Sequence, residues 1–233
     1  MKKRNPMDGC SGADLAGLID HTCLKPAGAR GEIEKLCREA RRFGFASVCV
    51  NPAEVAFCSR QLRSCAVKVC TVVDFPLGAS TLRARCFEAL DAIQAGADEL
   101  DVVVNQRLLK HSASVCEAEL LQWVRTCRTL RSDVVLKLIL ECCNLTRREI
   151  VLGCEIAARV GFDFVKTSTG LGAGGATIAD RFKLDLPDPN EAKARMVNKK
   201  ATTVAFVVAL IALGVAGVLT FVLYQHWEFL KGA

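Results

Sequence analysis

Histidine and aromatic residues are scarce in this chain, which has 233 residues, three histidines and an aromatic content of 6%. Nucleic-acid-binding surfaces combine clustered positive charge with aromatic stacking. Although the net charge is +6, the basic residues are spread along helical patterns, so nucleic acid is not a predicted partner. The few histidines, and cysteines without zinc-ligand spacing, predict no metal site. Seventeen glycines and six prolines exclude a collagen-like chain.

Cysteine, by contrast, is abundant, with 13 residues between Cys10 and Cys154. No apolar segment follows the basic stretch Met1–Pro6, so no secretory signal is predicted. Several cysteines lie within apolar runs, where they act as small buried hydrophobic side chains. The sequence therefore predicts reduced thiols in a cytosolic domain.

Short apolar runs alternate with helical patterns over most of the chain. The runs are Leu18-Ile19, Ala46–Val50, Val67–Val73, Leu100–Val104, Val134–Leu140 and Phe162–Val165. Several are continuous and β-branched, as in parallel strands that are buried on both faces. Thr146 and Glu149 form a capping-box pattern at the start of one intervening helix. Six strands separated by helices predict an α/β fold with a parallel sheet or barrel.

The C-terminal part of the chain has a different composition. No charged residue occurs from Ala201 to Trp227, and Val204–Tyr224 is a nearly continuous apolar run of 21 residues. About 20 residues span a bilayer as a helix. Four domains are predicted: a barrel-like unit at 1–179, a polar linker at 180–200, a transmembrane helix at 201–227 and a short tail at 228–233. This arrangement predicts a single-pass C-terminal membrane anchor with the barrel-like unit in the cytoplasm.

Three strands carry charged residues at positions where packing requires none. Lys166 lies at the end of the last predicted strand, before a glycine-rich turn that offers backbone N–H groups to an anion. Lys137 and Asp101 lie on other strands, on faces set by two-residue alternation. A desolvated lysine near another cation becomes a nucleophilic amine that can form a Schiff base. The alternatives are a lysine extending to solvent from a strand end and a structural ion-pair network.

Six sequence blocks in order resemble deoxyribose-phosphate aldolase, a class I Schiff-base aldolase with a TIM (β/α)8-type barrel. The blocks are Ile19–Pro26, Phe45–Pro52, Val72–Gly78, Gly96–Val102, Leu136-Lys137 with Glu141, and Val165–Gly170 with Gly174–Thr177. The resemblance covers residues from about Asp14 to Thr177. It implies reversible cleavage of 2-deoxy-D-ribose 5-phosphate to glyceraldehyde 3-phosphate and acetaldehyde, with no metal and no cofactor.

The resemblance also implies roles for individual residues. Lys166 matches the Schiff-base lysine, Asp101 the proton-relay aspartate, and Lys137 a second lysine of the active site. Asp20, Thr22 and Cys49 match residues that line the pocket, and packing or capping roles are the alternative for these three. Thr169 and Gly170 match the turn that binds substrate.

The sequence departs from the family after Thr177. The family continues with two further βα units, which carry a second essential lysine and much of the phosphate site, and Arg181–Ala233 contains no such motif. About six βα units are therefore expected, in an incomplete barrel whose open edges favour a homo-oligomer. Little reducible Schiff base is expected. The alternatives to an active lyase are a catalytically inactive, membrane-tethered protein and a splice or fusion product.

Overall fold

The computed structural model describes residues 12–176, 205–212 and 219–224. Eight strands form a closed barrel in chain order. The strands are β1 Ile19–Cys23, β2 Ser47–Val50, β3 Lys68–Val73, β4 Glu99–Val103, β5 Val135–Ile139, β6 Phe164–Lys166, β7 Ala205–Ala212 and β8 Leu219–Tyr224. The α-helices are α1 Gly12–Ala16, α2 Arg30–Phe43, α3 Val55–Leu62, α4 Leu82–Ala95, α5 Gln106–His111, α6 Ala113–Leu130 and α7 Arg147–Val160.

The predicted βα alternation is confirmed over the first six strands, which are parallel to one another. Local sequence sets the helix ends. Thr146 and Glu149 form the predicted capping box of α7, and Gly161 ends that helix in a left-handed conformation that favours glycine. The helices cover the barrel with apolar faces, and Trp123 of α6 stacks on Phe162 with a centroid separation of 5.7 Å.

The predicted transmembrane helix at 201–227 is wrong. In its place, β7 pairs in parallel with β6, and β8 runs antiparallel to both β7 and β1. Within the ranges that the structure describes, no helix is long and apolar enough to cross a membrane. The prediction of a single-pass membrane anchor, and with it the membrane as a partner and location, is therefore corrected.

The error has a physical cause, because an apolar run of this length satisfies either a helix or two buried strands. The strands β1 and β6 would otherwise leave unpaired backbone groups along two barrel edges. Pairing with β7 and β8 satisfies these groups, so the open edges that favoured self-association are absent from the described barrel. The predicted linker at 180–200 and tail at 228–233 lie outside the described residues.

Candidate active site

Alternation along the strands directs charged side chains into the barrel. Asp101 and Lys137 are paired in register between β4 and β5, while Lys166 lies at the end of β6. All three are buried, and Lys137 and Asp101 have no exposed surface. Because buried charges are costly unless they are paired, their neighbours determine what this site can do.

Lys166 contacts two carboxylates. Its Nζ donates a short hydrogen bond to Asp101 Oδ2, and it lies 3.8 Å from Asp20 Oδ2. Asp20 is itself fixed by Ser47, whose hydroxyl donates to Asp20 Oδ1 at 2.8 Å. The amine and the Asp101 carboxylate are therefore positioned to exchange a proton directly.

Lys137 binds the same carboxylates from deeper in the barrel. Its Nζ lies 2.8 Å from Asp20 Oδ2, 2.5 Å from Glu99 Oε2 and 3.7 Å from Asp101 Oδ1. Three carboxyl groups thus face two ammonium groups, and we call these five residues the charge cluster: Asp20, Glu99, Asp101, Lys137 and Lys166.

Electrostatics within the charge cluster favour ionised lysines. Burial acts to lower the pKa of Lys166, but the carboxylates of Asp101 and Asp20 outweigh it and raise that pKa above its ordinary value. The pKa of Lys137 is raised by the same balance. Burial raises the pKa of Glu99 above its ordinary value, which favours the protonated form of this carboxyl group. The sequence led us to expect a lysine made nucleophilic by a neighbouring cation, whereas the surrounding carboxylates have the opposite effect.

A cavity opens above the charge cluster at the carboxyl ends of the strands, where active sites of this architecture lie. We call it the barrel-end cavity. It is lined by Thr22, Leu24, Cys49, Val72, Phe75, Asp101, Ile139, Lys166, Ser168 and Thr169. Among the residues that the structure describes, Lys166 is the one amine in this lining, while Lys137 and Asp20 lie beneath it. A carbonyl compound in the cavity would therefore meet the Lys166 amine and the Asp101 carboxylate together.

The turn after β6 is held by Glu141. Thr169 donates its backbone N–H to Glu141 Oε2 at 3.0 Å, and its hydroxyl donates to the same oxygen. Glu141 has a left-handed backbone (φ 55°) and is buried. The donors of Thr169 are thus occupied, whereas Gly170 follows with a positive φ of 83°. The next backbone N–H, of Leu171, donates to Thr169 Oγ1 at 3.1 Å, so it is occupied as well.

Two cysteines adjoin the charge cluster. Cys49 and Cys70 are paired in register between β2 and β3. The thiol of Cys70 donates to Asp101 Oδ1 at 3.2 Å, and Lys137 Nζ lies 3.9 Å from the Cys70 sulfur. Burial raises the pKa of the Cys70 thiol well above its ordinary value, which keeps it protonated.

The structure brings seven of the eight predicted site residues into the charge cluster or the cavity lining, and Gly170 directly follows that lining. Sequence reasoning missed Glu99 and Cys70 in the interior, and Phe75 and Ser168 in the lining. Two-residue alternation with Asp101 could have found Glu99. Nothing in the sequence gives the register that places Cys70 beside Cys49.

Comparisons with known proteins identify the family. The sequence profile of the DeoC/LacD family aldolase matches residues 15–215. A deoxyribose-phosphate aldolase of Thermoanaerobacter pseudethanolicus is 48% identical over 168 residues, covering 72% of this chain and 75% of the relative. One from Clostridium perfringens is 47% identical over 167 residues, covering 71% and 73%.

Solved structures show the same likeness. A deoxyribose phosphate aldolase from Aeropyrum pernix, described as having a unique tetrameric structure, superposes with a TM-score of 0.70 at 32% identity and covers 76% of this chain and 74% of its own. A putative deoxyribose-phosphate aldolase from Coccidioides immitis gives a TM-score of 0.66 at 37% identity, covering 72% and 65%. The resemblance seen in the six sequence blocks is confirmed, and this chain belongs to the DeoC/LacD family of aldolases.

Proposed function

We propose that this protein is a deoxyribose-phosphate aldolase, which cleaves 2-deoxy-D-ribose 5-phosphate to glyceraldehyde 3-phosphate and acetaldehyde through a Schiff base on Lys166. The observation that carries the proposal is the contact between Lys166 and Asp101, both of which line the barrel-end cavity. Family membership supports the same substrate class. Residues 1–179 form the aldolase-like unit in this proposal, and β7 and β8 replace the last two βα units of the family.

The first step requires a neutral amine. Lys166 passes a proton to Asp101, and its nitrogen attacks the aldehyde carbon of the open-chain sugar. Loss of water from the adduct gives an iminium ion. Asp101 then returns its proton to the departing oxygen, which makes it the general acid of this step.

The second step breaks the bond between C2 and C3. Loss of the proton on the C3 hydroxyl releases glyceraldehyde 3-phosphate, and the electron pair of the broken bond moves into the iminium as an enamine. Protonation at C2 and addition of water then release acetaldehyde and regenerate Lys166. Asp101 is the cavity-lining carboxylate that carries these protons.

The remaining residues position these groups. Lys137 and Asp20 hold the catalytic pair from beneath. Lys137 Nζ lies 3.7 Å from Asp101 Oδ1 and 2.8 Å from Asp20 Oδ2, and that Asp20 oxygen lies 3.8 Å from Lys166 Nζ. Thr22 and Cys49 shape the wall of the cavity. Because Glu141 occupies the donors of Thr169, and Thr169 Oγ1 accepts from the Leu171 N–H, we assign the phosphate to backbone N–H groups of the turn after Leu171, with Thr169 and Gly170 shaping that turn.

Borohydride trapping tests the proposal. Incubation with acetaldehyde and sodium borohydride should add an ethyl group to Lys166 and block tryptic cleavage after it, which fuses the peptides 160–166 and 167–181. Lys166→Ala should abolish the label, while Lys35→Ala, at an exposed lysine of α2, should retain it. Label on other lysines only would refute the proposal.

A second candidate function is a sugar-phosphate-binding protein without lyase activity. The raised pKa of Lys166 favours it, as does the absence of lysine from the sequences of β7 and β8, where the family resemblance places one. Protection against thermal unfolding by 2-deoxyribose 5-phosphate, without aldehyde release or a trapped adduct, would identify this candidate.

We also propose that the protein forms a homo-oligomer. The description of the Aeropyrum pernix relative as tetrameric supports this, as do the large apolar side chains Leu77 and Phe87, which are 76% and 74% exposed. Light scattering after size-exclusion chromatography should give a mass that is a multiple of the chain's 25.2 kDa, and a monomer at all concentrations would refute it.

A further inference from the structure

Cys49 and Cys70 form a dithiol at the floor of the barrel-end cavity. They are direct neighbours on the parallel strands β2 and β3. Their two sulfur atoms and a carboxylate oxygen of Asp101 lie within 4.8 Å of one another. Neighbouring strands are about 4.8 Å apart, which falls within the Cα separation of roughly 4.4–6.8 Å found for disulfides. The backbone therefore already holds the two thiols within bonding reach.

The two sulfurs differ in their surroundings. Cys49 is 1% exposed and lines the cavity, whereas Cys70 has no exposed surface and lies beneath the lining. Cys70 donates its S–H to Asp101, the carboxylate that also binds Lys166. A chemical change at Cys49 can thus reach the catalytic pair through one neighbouring side chain.

The same site is poorly suited to a metal ion. Lys137 Nζ lies 3.9 Å from the Cys70 sulfur, and the Lys166 ammonium group contacts Asp101. Two ammonium groups repel a divalent cation, and the Cys70 thiol, whose pKa burial raises, stays protonated, whereas a metal ion requires a thiolate ligand.

We propose that Cys49 and Cys70 form a reversible disulfide when the protein meets hydrogen peroxide, and that this disulfide disables the Lys166–Asp101 pair. The Cys49 sulfur attacks one oxygen of the peroxide and its thiol proton leaves with the other oxygen, which gives a sulfenic acid and water. The Cys70 sulfur then displaces hydroxide from Cys49, and the Cys70 proton leaves with that hydroxide as a second water. In total, two thiols and one peroxide give one disulfide and two waters.

One consequence follows from the geometry. The disulfide removes the S–H donor of Cys70, so Asp101 loses a hydrogen bond that fixes its orientation. Reduction of the disulfide by thiol exchange restores that donor.

The chain offers a matched control in Cys37 and Cys58, whose sulfurs lie 3.7 Å apart. Both are buried between α2 and α3 and are not part of the cavity lining. If proximity alone decided oxidation, this pair would react first. If access from the cavity decides, Cys49 and Cys70 react first.

The experiment treats the full chain with hydrogen peroxide, blocks the remaining thiols with N-ethylmaleimide and maps the unreduced peptides. Trypsin leaves Cys49 and Cys58 in one peptide, so a glutamyl endopeptidase is added to cut after Glu54 between them. The expected product links peptide 43–54 to the peptide that begins at residue 69 and carries Cys70. The peroxide-treated protein should have two fewer free thiols per chain than the untreated protein, and dithiothreitol should restore both.

The effect on Lys166 rests on the proposed function and is measured separately, as the acetaldehyde adduct trapped by borohydride. Peroxide should reduce this adduct in the wild type and in Cys58→Ser, with recovery under dithiothreitol. In Cys70→Ser recovery should be smaller, because without a partner thiol Cys49 oxidises past the sulfenic acid to a sulfinic acid, which dithiothreitol does not reduce.

Two results would overturn the dithiol proposal: no Cys49–Cys70 cross-link, or a Cys37–Cys58 cross-link that forms first. A different result would separate the two proposals. If peroxide forms the Cys49–Cys70 cross-link but the untreated protein traps no acetaldehyde, the lyase function is refuted and the dithiol proposal stands.

Discussion

Replacing Lys137 by methionine should destabilise the barrel in a pH-dependent way. Lys137 is fully buried and faces Asp20, Glu99 and Asp101. Without it, three buried carboxyl groups share the single ammonium group of Lys166. Removing one partner of a buried ion pair costs about 3–5 kcal/mol. The folded variant can limit this cost only by binding one more proton than the wild type.

The magnitude follows from that proton. The ordinary pKa of a carboxyl group is near 4, so pH 7 lies about three units above it. Protonating the group at pH 7 therefore costs about 4 kcal/mol, at roughly 1.4 kcal/mol per unit. Since the pKa of this group is higher in the folded than in the unfolded variant, its stability is greatest at low pH and is lost as the pH rises. Relative to the wild type, the deficit should grow by about 1.4 kcal/mol per pH unit between roughly pH 5 and 7.

Urea unfolding followed by circular dichroism at several pH values measures this deficit. Lys35→Met is the matched control, because Lys35 is an exposed lysine whose side chain is 68% accessible and 3.6 Å from Glu39. It should change the free energy of unfolding by less than about 0.5 kcal/mol at every pH. A Lys137→Met protein as stable as the wild type at pH 7, or with a deficit independent of pH, would refute the charge-cluster reasoning.

Further predictions concern the active lysine, one glycine and one helix cap. Because the pKa of Lys166 is raised, its neutral fraction, and with it the initial rate of borohydride-trapped adduct formation, should rise about tenfold per unit from pH 7 to 9; a flat profile would contradict this. Gly78→Ala should lower stability by at least about 2 kcal/mol in thermal unfolding, since φ is 65° and a Cβ would lie 2.3 Å from the carbonyl oxygen of Val104. Gly31→Ala, with open space at a helical position, should be neutral or stabilising, and equal effects at both glycines would refute the steric argument. Thr146→Ala should cost about 1 kcal/mol by removing the α7 cap, measured by the same method, and Thr146→Ser should restore most of it.

Local patterns in the sequence predicted much of the fold. The capping box at Thr146 and the alternation on β4 and β5 depend on residues close in sequence. The apolar run Val204–Tyr224 was misread because its length matches a membrane span. Gly214 and Gly217, between two runs rich in valine and leucine, were the available sign of two strands.

The candidate site could be predicted only where local patterns or the family resemblance determine it. Lys166, Asp101 and Lys137 could be placed inside the barrel from alternation and family resemblance. The raised pKa of Lys166 could not be predicted, because it depends on the carboxylates of Asp101 and, at 3.8 Å, of Asp20, both of which lie far away in the sequence. The pairing of Cys49 with Cys70 likewise depends on strand register, which the turns between strands do not reveal.

The strand order also determines when the barrel can close as the chain is synthesised. The last pairing joins Ile19 of β1 to Phe221 of β8, across most of the chain. A nascent chain that has emerged as far as Lys166 holds the whole charge cluster but still has two unpaired strand edges. At about 5–20 residues per second, those edges wait several seconds for β7 and β8. Contacts so distant in sequence form slowly, so the interval after Lys166 emerges is when this barrel most needs a chaperone.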